Sequence, residues 1–557
     1  MNAPAGIGAA RLARLLASTA LLVSAITLAS RIFGFGRWLV FSPAVGAGGV
    51  GTAYQSANQL PNVLFEVIAG GALSGAIVPL LAAPLAAADR ATVSRIASAL
   101  LTWALTVTVP LALLVAVFHR PLAAVLLSTS SGAHEPGTVD LAGRLLLMFA
   151  PQLVFYALGA VLVGVLQAHR KFLWPAFMPL LSSVVVMGSY IAFAATKDGI
   201  GPREAGLTAE LWLGLGTTAG VLALSVPLLL PTRNAGVRLR LSWRFPPGVA
   251  RRAFRLATAG MTALLAQQAS VVTIMLLANR VGGTGAYVVF TYAQAVYLLP
   301  YAVLAVPLAT VAFPRLSERA QTGSREEFAE AAARGLRTIL LASAAGVALL
   351  IAAAAPLQEF FLTIDAAGDQ DGVPLTGLGT AVLLMSLGLP GWALVAYVSR
   401  ACYAQERSRY AAGSTAAGWA AAVVASLVLV PVLIRLSPSW GTDGPATTGE
   451  ATLWALALGN SAGMVVAGVL LLIALRRISG AGALAGVPST LLVLVPGAVL
   501  GAWAGRTAGE WLMTVLEFGP AASAVLAGLA AGTLALAVVG VLVAGLRRGL
   551  VHDIRAL

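Results

Sequence analysis

The chain has 557 residues, 59% hydrophobic and only 10% charged, with a mean hydropathy of +0.90. Soluble domains carry about 25% charged residues, so the composition excludes a soluble globular protein and indicates a polytopic membrane protein. The formal charge of +14 comes in short runs between apolar segments, which argues against nucleic acid, and one cysteine with four scattered histidines excludes internal disulfides and a Cys/His metal site.

About 20 apolar residues cross a bilayer. In chain order the expected spans are 17–42, 52–84, 96–118, 141–168, 174–196, 209–231, 257–279, 285–313, 338–357, 374–399, 411–434, 451–475, 485–505 and 519–546. With the N-terminus inside, 26 of the 35 Lys and Arg fall in inner tails and loops, six in outer loops and three within spans. That is the positive-inside pattern, and it places both termini in the cytoplasm.

Span 1 contains SRIFGFGRW, residues 30–38, with Arg31 and Arg37 at membrane depth. A central arginine costs roughly 2.5–3.5 kcal/mol on insertion scales unless it faces a cavity or a partner. Arg37, near the outer end, has a snorkelling alternative. Arg31 lies deeper, about 16 Å from that end at 1.5 Å per residue. Gly34 and Gly36 between them would permit bending or close helix approach, and so would Gly70 and Gly71 of span 2.

Span 2 carries QSANQLPN (55–62) and then Glu66, the only acid read inside a span. By depth Glu66 matches Arg31, so a purely structural Arg31–Glu66 pair is one reading. Asn58, Gln59 and Asn62 match Arg37. Pro61 removes a helix hydrogen bond, and polar, broken helices at membrane depth line cavities. With two cations to one acid, the second reading is a site for an anionic cargo, with phosphate suited to the guanidinium fork.

Arg144 is the third cation within a span. Span 8 repeats the polar, proline-broken theme with Tyr292, Gln294, Tyr297 and Pro300. Leu60-Pro61 and Leu299-Pro300, Pro151 and Pro390, and Arg170 and Arg409 share one spacing, which suggests a parallel repeat of six spans. The resulting units are an N-terminal lobe over 1–231, a basic cytoplasmic linker over 232–256, a C-terminal lobe over 257–476, and an added pair of spans with a short tail over 477–557. The acids of FLTIDAAGDQDG (Asp365, Asp369 and Asp371) read as a solvated outer loop. No enzyme motif stands in a fitting context, so the expectation is a transporter with no cofactor.

These residues carry a family resemblance. SRIFGFGR, GAGGVGTAYQSANQLPN and GGALSGAIVP, then APQLVFYALGAVLVGVLQAHRKFLWPAFMPLLSSVV (150–184), TYAQAVYLLPYAVLAVPLATVAFPRLS (291–317) and SRACYAQERSR (399–409), resemble the MurJ (MviN) lipid II flippases of the MOP exporter superfamily, in their actinobacterial branch. The resemblance implies an all-α membrane fold of two parallel six-helix lobes around a central cavity, plus two C-terminal helices. It implies a flippase of the bacterial plasma membrane, moving the undecaprenyl-pyrophosphate-linked peptidoglycan precursor lipid II from inner to outer leaflet by alternating access. Its partners would be that glycolipid, membrane lipids and cell-wall synthesis or division proteins. The family's cavity arginines on span 1 carry over onto Arg31 and Arg37. The chain departs from the family at Thr52, Gln59, Phe65 and Gln294-Ala295, where charged residues are replaced. A related exporter of another lipid-linked oligosaccharide or drug-like solute, or a non-transporting cell-wall scaffold, are the alternative readings.

Overall fold

In the computed structural model, residues 5–70, 74–129, 134–199, 201–258, 261–367, 372–436, 447–547 and 549 are described. The described secondary structure is helical. The N-terminal half comprises α1 (Ala5–Ala44), α2 (Gly49–Phe65), α3 (Ser74–Ala86), α4 (Arg90–Val117), α5 (His119–Leu126), α6 (Thr138–Phe149), α7 (Gln152–Ala168), α8 (Leu173–Thr196), α9 (Leu207–Ser225) and α10 (Leu229–Asn234). A short α11 (Val249–Thr258) precedes α12 (Met261–Leu277), α13 (Ala286–Pro300), α14 (Val306–Thr322) and α15 (Arg325–Ile364). The chain then runs through α16 (Leu378–Ser386), α17 (Leu389–Ala404), α18 (Ser408–Leu436) and α19 (Thr448–Ser479) to α20 (Val487–Val515) and α21 (Pro520–Leu546).

Among the described residues ten helices are individually long and apolar enough to cross a membrane, or twelve if two bent helix pairs each count as one span. The two other expected spans, 17–42 and 52–84, fall on α1 and on the α2–α3 stretch, both partly outside the residues whose side chains are described. The chain is a multi-pass membrane protein.

Helix pairing repeats along the chain. In the first half α1 packs on α8, α2 on α6, α4 on α7, and α8 on α9. In the second, α12 packs on α18, α13 on α16, α15 on α17, and α18 on α19. Each second pair is the first moved along by six expected spans. Helices α20 and α21 pack on one another and both lie against α15.

Proline chemistry explains the shared irregularities. Pro61 lies within α2, which passes into a π-helix at Glu66–Gly70, and Pro300 ends α13 directly before a π-helix at Tyr301–Ala305. A proline leaves the carbonyl four residues earlier without its donor, and a locally widened turn is one way for a helix to absorb the defect. Pro151 and Pro390 sit at the breaks of the two bent pairs, α6–α7 at 41° and α16–α17 at 42°. The third sequence mark does not hold. Arg170 has φ of +58° at the end of α7, and its geometric counterpart after α17 is Glu406 at φ of +55°, not Arg409. At each, the next amide closes back onto the preceding helix, Lys171 on Leu166 and Arg407 on Cys402.

Arg144 is accounted for structurally. Its guanidinium grips Glu210, at the start of α9, through Nε–Oε2 at 2.7 Å and Nη2–Oε1 at 2.6 Å. Glu66 is therefore not the only acid in the spans: Glu210, the second residue of the expected span 209–231, is a second one, and it is buried. Replacing Arg144 with alanine should leave that carboxylate unpaired and destabilise the protein by about 1–3 kcal/mol. Thermal melting in detergent measures the loss, and Arg144→Ala/Glu210→Gln should recover most of it.

Candidate functional site

The site is built where α1 faces α2, α7 and α8. Arg37 is half-buried on α1, and Tyr54, Tyr156 and Tyr190 all lie within electrostatic range of its guanidinium. Its Cζ is 6.0 Å from the ring centroid of Trp38. The tyrosines are themselves tied into a network. Tyr54 and Tyr190 hydroxyls are 2.9 Å apart, Tyr54 also meets Thr217 Oγ1 at 3.1 Å, and Tyr156 donates to Asn62 Oδ1 at 2.9 Å. Phe65 stacks on Tyr156 with centroids 4.6 Å apart. Among the described residues no carboxylate forms an ion pair with Arg37 or Arg31. A partly desolvated cation without a counter-anion carries a cost, so the arrangement at Arg37 favours an anion that arrives and leaves.

Arg31 and Glu66 do not form the buried pair that their depths allowed. Arg31 is exposed and reaches the electrostatic neighbourhood of Tyr301 on the second half, while Glu66 opens the π-helix beside Tyr156. Depth along a helix says nothing about azimuth, and here the two side chains face different neighbours. Tyr301 also senses Arg400 of α17. Arg400 donates to Ala396 O at 2.5 Å and is half-buried. Arg400 falls one residue beyond the expected span 374–399, whereas α17 continues to Ala404. Tyr301 is thus within electrostatic range of one cation from each half.

The remaining candidates divide. Asn58, Gln59 and Gln294 are half-buried. Tyr297 is buried inside the second half, its hydroxyl near Gly388. Tyr292 is also fully buried, stacked on Phe361 with centroids 4.9 Å apart and donating to Asp365 Oδ2 at 2.9 Å. Gly34 and Gly36 have open space where a Cβ would stand, so neither serves close packing. Gly70 ends the π-helix, Pro61 and Pro300 mark the helix defects, and Gly71 lies outside the described residues.

Asp365 departs furthest from its expected role. It is 7% exposed rather than solvated, beyond the end of α15, and it bridges the halves. Its Oδ2 accepts from Ser42 Oγ at 2.6 Å and from Tyr292, and its Oδ1 accepts from the amides of Ala47 and Ala367, both at 2.9 Å. Burial raises its pKa, and those four hydrogen bonds oppose the rise. The other two acids of this loop, Asp369 and Asp371, lie outside the described residues. Nearby, Gly285 N donates to Thr52 Oγ1 at 2.8 Å, Asn279 Nδ2 donates to Ser56 Oγ at 2.9 Å, and Glu135 N donates to Thr284 Oγ1 at 3.2 Å. Together these bonds fasten the two halves at the expected outer end.

Residues 41–514 match the family model described as lipid II flippase MurJ, a match that begins just after Arg37. A probable lipid II flippase MurJ of Rhizobium tropici is 28% identical over 414 residues, 74% of this chain and 75% of the relative. The lipid II flippase MurJ of Burkholderia cenocepacia is 29% identical over 399 residues, 69% and 73% of the two chains. Among solved structures, a lipid II flippase MurJ in an inward closed conformation aligns with a TM-score of 0.70 at 19% identity, covering 93% of this chain and 98% of that one. An inward-facing multidrug resistance transporter of the MATE family follows at 0.59 and 14%, covering 83% and 99%. These structural likenesses carry the fold. The family match, spanning most of the sequence, carries the assignment: the chain belongs to the lipid II flippase MurJ family.

Proposed function

We propose that this protein is a transporter that carries lipid II, by its pyrophosphate, from the inner to the outer leaflet of the bacterial plasma membrane, with both termini in the cytoplasm. The observation that carries the proposal is Arg37, a half-buried guanidinium within electrostatic range of three tyrosines and with no carboxylate ion-pair partner among the described residues. A pyrophosphate suits it because guanidinium groups bind phosphate oxygens through paired, charge-assisted hydrogen bonds.

The lobes over 1–231 and 257–476 would rock against one another, with the helix defects after Pro61 and at Pro300 as the compliant points, and Gly34, Gly36, Gly70 and Gly71 as further hinges. Arg31, Asn58, Gln59, Asn62, Glu66 and Gln294 would line the passage. The buried Tyr292 and Tyr297 would support its wall instead of touching the cargo. Membrane lipids and cell-wall synthesis proteins would be its other partners.

Complementation tests the reading. In cells depleted of their own lipid II flippase, the wild-type chain should restore growth and lipid II at the outer surface, and Arg31→Ala should restore clearly less at equal membrane abundance. Failure of the correctly inserted wild type would point instead to other cargo or to a scaffold.

A further inference from the structure

A second cationic site lies away from Arg37. Residues 237–246, in the segment expected to be a basic linker, carry no regular secondary structure and lie along α4. Ser94 Oγ accepts from Arg238 N at 3.1 Å, Ser98 Oγ from Arg240 N at 3.0 Å, and Thr102 Oγ1 from Ser242 N at 2.8 Å. One helical turn, four residues at 1.5 Å, matches two extended residues at about 3.3 Å each. A hydroxyl at every fourth position of α4 therefore satisfies every second amide of this segment. Thr106 completes the series by accepting from Trp243 Nε1 at 3.0 Å.

The ladder also sets which side chains point outward. Val237 and Leu239 pack towards α4, while the alternating Arg238 and Arg240 are exposed. With Arg90, Arg95 and Arg233 they line a groove of about 1140 Å3 between α4, α10 and this segment. Thr232 also lines it, 1% exposed, and its hydroxyl has no hydrogen-bond partner among the described residues. Asp89, the N-cap of α4, is the acid at this end; it accepts from Thr92 N and senses Arg95, so it offsets one charge of five. Trp103 of α4 and Trp243 of the segment packed along it are both exposed, and Trp103 Nε1 donates to Trp243 O at 3.1 Å. Leu241 is exposed beside them.

We propose that this groove holds the phosphate headgroup of an anionic phospholipid from the surrounding leaflet. Five arginines supply planar donors for phosphate oxygens, and basic pockets at the ends of membrane helices suit such headgroups. The flanking tryptophans and leucine favour a lipid over a soluble anion, because indoles settle at the headgroup level and free phosphate has no use for an apolar border. The site would fix α4 and the connecting segment to the membrane surface while the rest of the protein moves. It is independent of what cargo the protein carries.

Lipid binding to the purified full chain tests this directly, by native mass spectrometry with phosphatidylglycerol, phosphatidylcholine and inorganic phosphate. The wild type should retain phosphatidylglycerol but not phosphatidylcholine, and millimolar phosphate should not displace it. Arg233→Gln/Arg238→Gln/Arg240→Gln should weaken retention about tenfold or more, with melting in phosphatidylcholine unchanged. A folded triple variant that retains phosphatidylglycerol like wild type overturns the proposal, and displacement by phosphate makes the site one for a soluble anion. Should the triple variant not fold, a photoactivatable phosphatidylglycerol decides on the wild type. Labelling within 232–243 supports the site, and labelling only elsewhere refutes it.

Discussion

Replacing Arg37 with alanine should lower lipid II transport by at least 10- to 100-fold without unfolding the protein. The magnitude follows from losing charge-assisted hydrogen bonds worth roughly 1.5–3 kcal/mol each, in a site where solvent screens little. Stability should hold or rise slightly, since among the described residues no carboxylate is left unpaired by the change. Arg37→Lys should recover part of the rate, because a point charge attracts pyrophosphate but cannot reproduce a planar fork. A structural arginine would behave in reverse, with alanine costing stability first and transport only in proportion. Melting temperature and initial transport rate, measured on one preparation, separate the two.

Asp365→Ala should open the expected outer end. The change strips the Ala47 amide, Ser42 and Tyr292 of their common acceptor. Buried groups left unsatisfied cost about 1–3 kcal/mol each, a penalty that falls on the closed state and is enough to move the equilibrium tenfold or more towards the open one. Labels at Leu207→Cys and Glu359→Cys, one on each half in a Cys402→Ser background, should show a longer distance component by pulsed electron resonance. An unchanged distribution would mean the closed state is held elsewhere. Because burial raises the Asp365 pKa in the latched state, that state binds the proton more tightly than an open, solvated carboxyl does. Closure should therefore strengthen as pH falls through the raised value and loosen as pH rises above it. The Lys197 ammonium, within electrostatic range of Asp365, works against that rise. Asp365→Asn, a stand-in for the protonated form, should stay closed and lose the pH dependence.

Much of the architecture was legible in the sequence because hydropathy and charge bias act on whole segments. The repeat was legible where the chemistry was obligatory. Pro61 and Pro300 each remove a backbone donor, and Pro151 and Pro390 each stand at a helix break, with bends of 41° and 42°, although α4, α8 and α15 run on through prolines of their own. The Arg170–Arg409 spacing carried no such obligation and failed. At the site, Arg37 and Asn62 were legible as polar residues at membrane depth, but Tyr54, Tyr156 and Tyr190 were missed, since tyrosines in apolar helices are common and only the fold makes them converge. Asp365 was misread because nothing in FLTIDAAGDQDG says that Ser42, some 320 residues earlier, will lie against it. The hydroxyls at 94, 98, 102 and 106 did offer a signal, a four-residue period on α4 that hydropathy alone does not register.

The central claim is that Arg37 receives the pyrophosphate of a lipid-linked cargo. The measurement closest to it is lipid II translocation in sealed vesicles holding the purified protein, with wild type, Arg37→Ala and Arg37→Lys reconstituted at equal density and fluorescent lipid II scored as it emerges at the opposite leaflet. Wild type should transport, Arg37→Lys should show an intermediate rate, and Arg37→Ala should give near-background signal. Transport by Arg37→Ala at the wild-type rate would contradict the claim, and the half-buried guanidinium would then need a different explanation.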